Sequence, residues 1–135
     1  MSGAADTFLD TNVLVYLLSG DSARADRAER LVAEGGVVSV QVLNEFASVA
    51  TRKLGMRIAE VVEILAAVRA LCKVVSVVEE THDLGMQIAA RHRVSIYDAM
   101  IAAAARLAGC RVLLSEDMQD GVVLEGVRIR NPFRT

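Results

Sequence analysis

The chain has 135 residues, of which 53% are hydrophobic and 24% are charged, and its net charge is −2. This length can bury one core, and the composition excludes a disordered protein. The small negative charge disfavours a protein that coats nucleic acid by charge alone. An enzyme acting on nucleic acid stays open, because metal ions in an acidic pocket restore positive potential locally. We expect a single domain spanning residues 1–135.

Targeting signals and disulfides are not indicated. The apolar stretch at 13–18 follows two aspartates instead of basic residues, which is not typical of a signal peptide. The longest apolar run, 99–105, is too short to span a bilayer. Cys72 and Cys110 have no partner motif, which favours buried, reduced thiols over a disulfide or a ligand pair. These features predict a cytoplasmic protein without a membrane association.

Short β-like runs alternate with helical patterns along the chain. In order, the patterns predict a strand at 7–9, helices at 11–19 and 22–34, a strand at 37–40, helices at 41–54 and about 56–72, a strand at 74–77, helices at 79–91 and 96–108, a strand at 111–114, a loop at 115–121 and a strand near 127–129. This alternation predicts a parallel sheet with helices on its faces, in which ligands bind at the carboxyl ends of the strands.

The predicted long helices carry apolar stripes at helical spacing. In the helix at 56–72, the predicted stripe consists of Ile58, Val61, Val62, Leu65 and Val68. The preceding helix has its stripe at positions 42, 46 and 49, and Glu45 falls within that stripe. A buried carboxylate is costly unless it is paired or binds a metal. Glu45 is therefore a candidate ligand, with a buried salt bridge or an outward-turned side chain as the structural alternatives.

Three further acids have positions that suit a site. Asp10 follows the first predicted strand, where it can also cap a helix, and Asp117 follows the strand at 111–114, where it can also be an ordinary loop acid. Asp98 faces the apolar side of its helix, although Ser95 and Asp98 also form a possible capping box. Together with Glu45, these acids can meet in one cleft at the carboxyl edge of the sheet.

Such a cluster of carboxylates predicts a site for a hard divalent cation. Repulsion between carboxylates is relieved by proton or cation binding, and an all-oxygen set suits Mg²⁺ or Mn²⁺ better than zinc. These ions promote phosphodiester hydrolysis by activating water and offsetting charge. No Ser-His-Asp, Cys-His or glycine-rich phosphate motif competes, and His82 and His92 are predicted surface residues. A phosphotransferase with a nucleophilic Asp10 would need a second aspartate at position 12, where this chain has Asn12.

Four segments resemble the motifs of the PIN-domain family, and most closely those of the VapC-like ribonuclease toxins of bacterial toxin–antitoxin pairs. They are FLDTNVLVY at 8–16, VLNEF at 42–46, IYDAMI at 96–101 and LLSEDMQDG at 113–121. The resemblance spans essentially the whole chain, with the motifs in the expected order. It implies a three-layer α/β/α sandwich on a central parallel sheet of four to five strands, and RNA cleavage that depends on Mg²⁺ or Mn²⁺.

The resemblance also implies roles for individual residues. Asp10, Glu45 and Asp98 match the three acidic anchors of the family, and Asp117 matches its fourth acid, although Glu116 or Asp120 is an open alternative for that place. Asn12 and Ser115 match the accompanying polar residues. The resemblance further implies a homodimer and a cognate antitoxin that occludes the acidic cleft. The helix pair at 41–72, with the small residues Ala59, Ala66, Ala67 and Ala70, is where family members bind such a partner.

Substrate phosphates require a basic rim around an acidic cleft. The candidates are Arg52, Lys53, Arg57, Arg91 and Arg93, each of which can equally belong to an ordinary solvated face. The low aromatic content, 4%, disfavours an extended base-stacking platform. The leading hypothesis is a metal-dependent endoribonuclease toxin, and the alternative is a catalytically silent PIN-like module that binds a protein partner. The RNA target and the number of metal ions stay open.

Overall fold

A computed structural model describes residues 4–134, which form a six-stranded sheet flanked by helices. The strands are β1 (Thr7–Leu9), β2 (Val37–Ser39), β3 (Lys73–Val75), β4 (Val112–Leu114), β5 (Val123–Leu124) and β6 (Val127–Arg130). The α-helices are α1 (Thr11–Val15), α2 (Ser22–Ala33), α3 (Val40–Arg52), α4 (Ile58–Leu71), α5 (Glu79–His92) and α6 (Ile96–Leu107). Short 3₁₀ turns at Ala4–Asp6 and Tyr16–Leu18 precede β1 and follow α1.

The strand order is β3-β2-β1-β4-β6-β5, and all neighbouring pairs are parallel except β5 with β6. The chain moves from β1 outward to β3 and then returns through α5 and α6 to β4, on the other side of β1. Because such crossovers are right-handed, this reversal places α5 and α6 on the face opposite α1 to α4. The predicted α/β/α sandwich on a central parallel sheet of four to five strands is confirmed, and the parallel part of the sheet has five strands.

The sequence patterns did not predict the edge strand β5. It has only two residues and pairs antiparallel with β6 through a turn at Glu125 and Gly126, whose φ angles are 49° and 85°. Positive φ at both turn residues is typical of a type I′ hairpin, for which glutamate is an unusual first residue. The Glu125 carboxylate accepts hydrogen bonds from Arg91 at 2.8 Å and pairs with His92 at 3.1 Å. These contacts hold the hairpin against the end of α5.

The core lies on both faces of the central strands. Phe8 of β1 and Val38 of β2 are completely buried, as is most of the alanine-rich segment 99–105 of α6. The small side chains of α6 allow close packing against the sheet and α5. At the contact between these helices, a Cβ on Gly85 would lie 2.3 Å from the sulfur of Met100, so a larger residue there would force the Met100 side chain to move.

Several predicted details of the helices and strands were wrong. Ile58 and Val62 are 67% and 59% exposed, because the face of α4 that packs inward centres on Val61 and Val68. The helix predicted at 11–19 ends at Val15 and continues as a 3₁₀ turn. The predicted strands at 37–40 and 74–77 are shorter, since position 40 begins α3 and position 77 lies beyond the edge strand β3. The strand predicted at 7–9 is confirmed as β1, and the other predicted boundaries differ by at most two residues.

The prediction for the cysteines is confirmed, since Cys72 and Cys110 are both buried and free. Burial raises the pKa of the Cys110 thiol to about 11, which keeps it protonated at neutral pH. Among the helices between residues 4 and 134, none is both long and apolar enough to cross a membrane.

Candidate functional site

The sheet topology opens a crevice at the carboxyl ends of β1 and β4. The chain leaves these neighbouring strands in opposite directions, which is where α/β folds bind ligands. The backbone N–H of Asp10 donates to the carbonyl of Leu114 at 3.0 Å and extends the ladder by one residue. Asp10 and Ser115, the residues directly after the two strands, therefore lie side by side at this edge.

Asp10 is a buried carboxylate with three hydrogen-bond donors. It is 5% exposed, and it accepts hydrogen bonds from the backbone N–H of Thr11 at 2.7 Å, the hydroxyl of Ser115 at 2.7 Å and the amide of Asn12 at 3.3 Å. Burial raises the pKa of Asp10 from 3.8 to about 6, although the bonds from Ser115 and Thr11 lower it. Asp10 therefore caps α1, and ionising it in this place is costly without a nearby cation.

Ser115 and Asn12 connect Asp10 to the loop after β4. The fully buried hydroxyl of Ser115 donates to Asp10 and accepts from the backbone N–H groups of Asp117 at 3.2 Å and Met118 at 3.3 Å. The Asn12 amide donates to that hydroxyl at 3.3 Å, and its oxygen accepts from the backbone N–H of Glu116 at 3.0 Å. These two polar residues thus orient the buried acid and the loop that carries Asp117.

Glu45 reaches the same crevice from α3. It is half-buried, and its carboxylate accepts hydrogen bonds from the hydroxyl of Thr11 at 2.6 Å and the amide of Gln41 at 3.1 Å. Both donors are neutral, and among residues 4–134 no cation forms an ion pair with Glu45. The buried salt bridge considered from the sequence is therefore not what holds this side chain. Its negative charge remains available to a bound cation.

Asp98 lies in the first turn of α6, on the opposite side of the crevice. Its backbone N–H donates to the hydroxyl of Ser95 at 3.2 Å, so half of the expected capping box is present. Burial raises the pKa of Asp98, the Ser95 hydroxyl lowers it, and the charges of Asp117 and Glu45 raise it. Asp98 thus lies in the first turn of its helix, and its carboxylate is close enough to those of Asp117 and Glu45 to be affected by their charges.

The three acids of the loop after β4 have different partners. Glu116 accepts hydrogen bonds from Tyr16 at 2.5 Å and Arg24 at 2.6 Å. Asp120 accepts from the backbone N–H of Asn131 at 2.8 Å and from Arg134 at 3.3 Å. Within the described part of the chain, the exposed Asp117 carboxylate has no hydrogen-bond or ion-pair partner. Among these three acids, Asp117 is the one whose charge is uncompensated.

The four acids of the candidate site border one cavity of about 590 Å³, which we call the acidic pocket. They come from four separate segments of the chain, and Asn12 also lines the pocket, whereas Ser115 lies beneath it. Two residues of this region were not predicted from the sequence. Tyr16 lines the pocket, and the guanidinium of Arg24 lies 5.1 Å from the Tyr16 ring. Tyr16 falls within the motif at 8–16, but no sequence signal links Arg24 to the loop.

The chemistry of the donor set fits a hydrated hard cation. All the candidate ligands are carboxylate, hydroxyl or amide oxygens, which Mg²⁺ and Mn²⁺ prefer. Among residues 4–134, no three Asp, Glu, His or Cys side chains form a ready-made metal-binding group. Mg²⁺ normally keeps several waters and is held by one or two carboxylates plus substrate phosphates. Asp10 and Asp98 would hold such an ion, which would offset negative charge on a substrate phosphate.

The five basic candidates are spread over the surface. Lys53 lines the acidic pocket and Arg52 lines an adjoining cavity, whereas Arg57, Arg91 and Arg93 line neither. Arg91 pairs with Glu125, Arg57 precedes α4 beside Glu60, and Arg93 ends α5 in the left-handed conformation with φ 56°. The structure thus brings one basic candidate into the pocket and places a second next to it.

Comparisons with known proteins agree with the fold described above. A family model described as PIN domain matches residues 7–119. The fold is similar to that of Mycobacterium tuberculosis VapC20, a sarcin–ricin loop-cleaving toxin, at 26% identity and a TM-score of 0.66 over 82% of this chain and 91% of that chain. A toxin–antitoxin complex from Klebsiella pneumoniae matches at 17% identity and a TM-score of 0.72, over 96% of this chain and 99% of that chain.

A third structure, DNA-bound VapBC from Salmonella typhimurium, matches at 20% identity and a TM-score of 0.70, over 94% of this chain and 98% of that chain. The comparison with curated protein sequences found no match. The family model spans the first three motifs identified in the sequence and residues 113–119 of the fourth, and the solved structures share the fold over nearly their whole length. The chain belongs to the PIN-domain family.

Proposed function

We propose that the protein is an Mg²⁺- or Mn²⁺-dependent endoribonuclease that acts as the toxin of a toxin–antitoxin module. The observation that carries this proposal is the convergence of Asp10, Glu45, Asp98 and Asp117 on one pocket at the switch point of a PIN-family sheet. Carboxylates grouped without cation partners favour metal binding over a structural role. The choice of RNA as substrate rests on the resemblance to VapC-like ribonuclease toxins.

Each residue of the pocket has a part in the proposed reaction. A bound Mg²⁺ or Mn²⁺ would orient the phosphodiester and offset the negative charge that develops on it. Asp10 and Asp98 would hold the ion, with Asp117 and Glu45 completing the ring of negative charge. Ser115 and Asn12 keep the Asp10 carboxylate in one orientation, and Thr11 does the same for Glu45. Lys53, at the rim, would bind a substrate phosphate.

The same proposal includes a protein partner. In the fold relatives, toxins are found in complexes with antitoxins. The outer face of α4 offers the exposed apolar side chains Ile58 and Val62, one helical turn apart, on which an antitoxin helix can pack. We also propose that the chain forms a homodimer in the cytoplasm. Light scattering of the purified chain tests the dimer, which is contradicted by a mass equal to one chain of 14.5 kDa.

The cleavage assay tests the proposed activity. We expect the purified protein to cut single-stranded and structured RNA internally in the presence of Mg²⁺ or Mn²⁺, and to stop when EDTA removes the ion. The control variant Asp83→Asn changes an exposed aspartate of α5 that does not line the acidic pocket, and it should cut at the wild-type rate. Cleavage that persists in EDTA would contradict the metal-dependent site. An inactive wild type would favour the silent binding module.

A pair of variants tests the assignment of the fourth acid. Asp117→Asn is expected to raise the Mg²⁺ concentration needed for half-maximal cleavage by about 10-fold or more, because a charge facing the ion is lost. Glu116→Gln should change that concentration little, since Glu116 is already paired with Arg24 and Tyr16. The measurement is the cleavage rate against Mg²⁺ concentration. A larger effect for Glu116→Gln than for Asp117→Asn would assign the fourth acid to Glu116.

A further inference from the structure

A second cavity, of about 660 Å³, adjoins the acidic pocket, and we call it the side groove. The two cavities share Glu45, Ser48 and Tyr97, so they form one continuous depression across α3 and the start of α6. A phosphodiester in the acidic pocket would therefore place a neighbouring nucleotide in the side groove. The proposed reaction makes no use of this second cavity.

Tyr97 stands at the junction of the two cavities. It directly precedes Asp98 in α6, and it is 71% exposed. The other four aromatic residues have partners or are buried: Phe8 and Phe46 lie in the core, and the rings of Tyr16 and Phe133 are 4.4 Å apart. Within the described part of the chain, Tyr97 is thus the aromatic ring with an open face. Such a ring beside a phosphodiester site offers a stacking surface for one base.

The position of Tyr97 is supported by α3. The amide of Gln41 donates to the backbone carbonyl of Tyr97 at 3.4 Å and to Glu45 at 3.1 Å. Gln41 therefore connects the backbone that carries the ring to one of the pocket acids. This connection links the start of α6, which carries the ring, to the helix that carries Glu45.

The rest of the side groove combines groups that match the parts of a nucleotide. Val40, Val77 and Met100 provide apolar surface next to the ring, and the exposed amide of Asn44 can donate and accept hydrogen bonds at a base edge. Arg52, at the end of α3, is exposed and forms no ion pair with any residue between 4 and 134. Its guanidinium is therefore free to contact a backbone phosphate.

We propose that the side groove is a base-binding subsite, in which Tyr97 stacks on an unpaired base of the nucleotide next to the scissile phosphodiester. This inference rests on the proposed ribonuclease function and narrows its substrate class to RNA with an unstacked base at the cleavage position. A paired base keeps both faces covered by its neighbours and leaves no face for the ring. Asn44 lies at the base edge and Arg52 at the adjacent phosphate.

Binding of short RNA tests this subsite without relying on cleavage. The probe is a fluorescein-labelled, mixed-sequence single-stranded RNA, titrated in Ca²⁺ and followed by anisotropy, with the same strand in a duplex for comparison. Loss of one stacked base weakens binding about 5- to 100-fold, so Tyr97→Ala should raise the Kd for the single strand by that factor. Tyr97→Phe keeps the ring, so its Kd for the single strand should stay within about 2-fold of the wild-type value.

The matched control is Leu107→Ala, which removes an exposed apolar side chain at the other end of α6, about 15 Å away. It should not change the Kd, and Tyr97→Ala should not change binding of the duplex. Equal single-strand binding by Tyr97→Ala and the wild type overturns the subsite, as does an equal loss in Tyr97→Phe. A Tyr97→Ala variant that alters only the mass measured by light scattering would assign the ring to a contact between copies of the chain.

The outcomes separate this inference from the proposed function. If the wild type binds single-stranded RNA through the ring but never cleaves it, the subsite stands and the nuclease proposal fails. If the wild type cleaves RNA and Tyr97→Ala binds and cleaves equally well, the nuclease proposal stands and the subsite is wrong. A wild type that binds no single-stranded RNA in Ca²⁺ contradicts the subsite.

Discussion

Replacing Asp98 by asparagine is expected to lower metal-dependent RNA cleavage by at least about 100-fold while the protein stays folded. Changes to residues that merely support a metal ligand already cost about 10- to 100-fold, and Asp98 faces the proposed ion itself. Asparagine keeps the size of the side chain, and the backbone hydrogen bond from position 98 to Ser95 does not depend on the carboxylate. The substitution therefore removes charge from the pocket and leaves the start of α6 intact.

The measurement is the single-turnover cleavage rate of the wild type, Asp98→Asn and the control Asp83→Asn in saturating Mg²⁺. A thermal melt of each variant verifies the fold. If Asp98→Asn cuts within a few-fold of the wild-type rate, Asp98 has no part in the reaction. An equal loss in Asp83→Asn would show that the assay reports on general damage and not on the pocket.

Replacing Asp10 by asparagine is expected to stabilise the metal-free protein at neutral pH. Burial raises the pKa of Asp10 from 3.8 to about 6, so the folded state holds this proton more tightly than the unfolded chain does. The stabilising contribution of the protonated group is complete below about pH 4 and is lost as the pH rises to about 6. At pH 7, ionised Asp10 then lowers the free energy of unfolding by about 3 kcal/mol.

Asparagine carries no charge and still caps a helix well, so the variant avoids most of this cost. Urea denaturation in EDTA at pH 5 and pH 7.5 measures the effect. The wild type should lose stability between these values, and Asp10→Asn should lose less and exceed the wild type at pH 7.5. Asp83→Asn should follow the wild type at both values. An Asp10→Asn variant that is less stable than the wild type at pH 7.5 would show that the donors around Asp10 favour the ionised carboxylate.

The positions of the acidic residues could be predicted where a local sequence pattern and the order of strands and helices lead to the same place in the fold. Asp10 could be placed because a strand that ends before a helix puts its next residue at the sheet edge, and the structure finds it there as the cap of α1. Glu45 could be singled out because a carboxylate within an apolar stripe needs a compensating partner. The alternation of strands and helices was enough to predict that residues distant in sequence line one pocket, which they do.

The remaining features depend on contacts between distant segments, which periodicity does not encode. Arg24 binds Glu116 across 92 positions, and this pairing, together with the hydrogen bond from Tyr16, distinguishes Glu116 from Asp117. The turn at Glu125 and Gly126 lacks the Asn-Gly or Asp-Gly pair that usually marks a type I′ hairpin. Contacts of Glu125 with Arg91 and His92 stabilise it instead, and these contacts cannot be read from the local sequence. Ile58 and Val62 of α4 were predicted to lie in the core but are exposed. Helical spacing identifies an apolar side chain, but it does not say whether that side chain faces the interior or a partner.

Binding of Mn²⁺ is the most direct test that the four acids form a metal site. Metal-free wild type and Asp98→Asn are titrated with Mn²⁺ in a calorimeter, with Asp83→Asn as the control. The wild type and the control should bind the ion and release it to EDTA, and Asp98→Asn should bind at least about 10-fold more weakly. Equal affinity for the wild type and Asp98→Asn, or no binding by the wild type at millimolar Mn²⁺, would contradict a metal-dependent nuclease site in the acidic pocket.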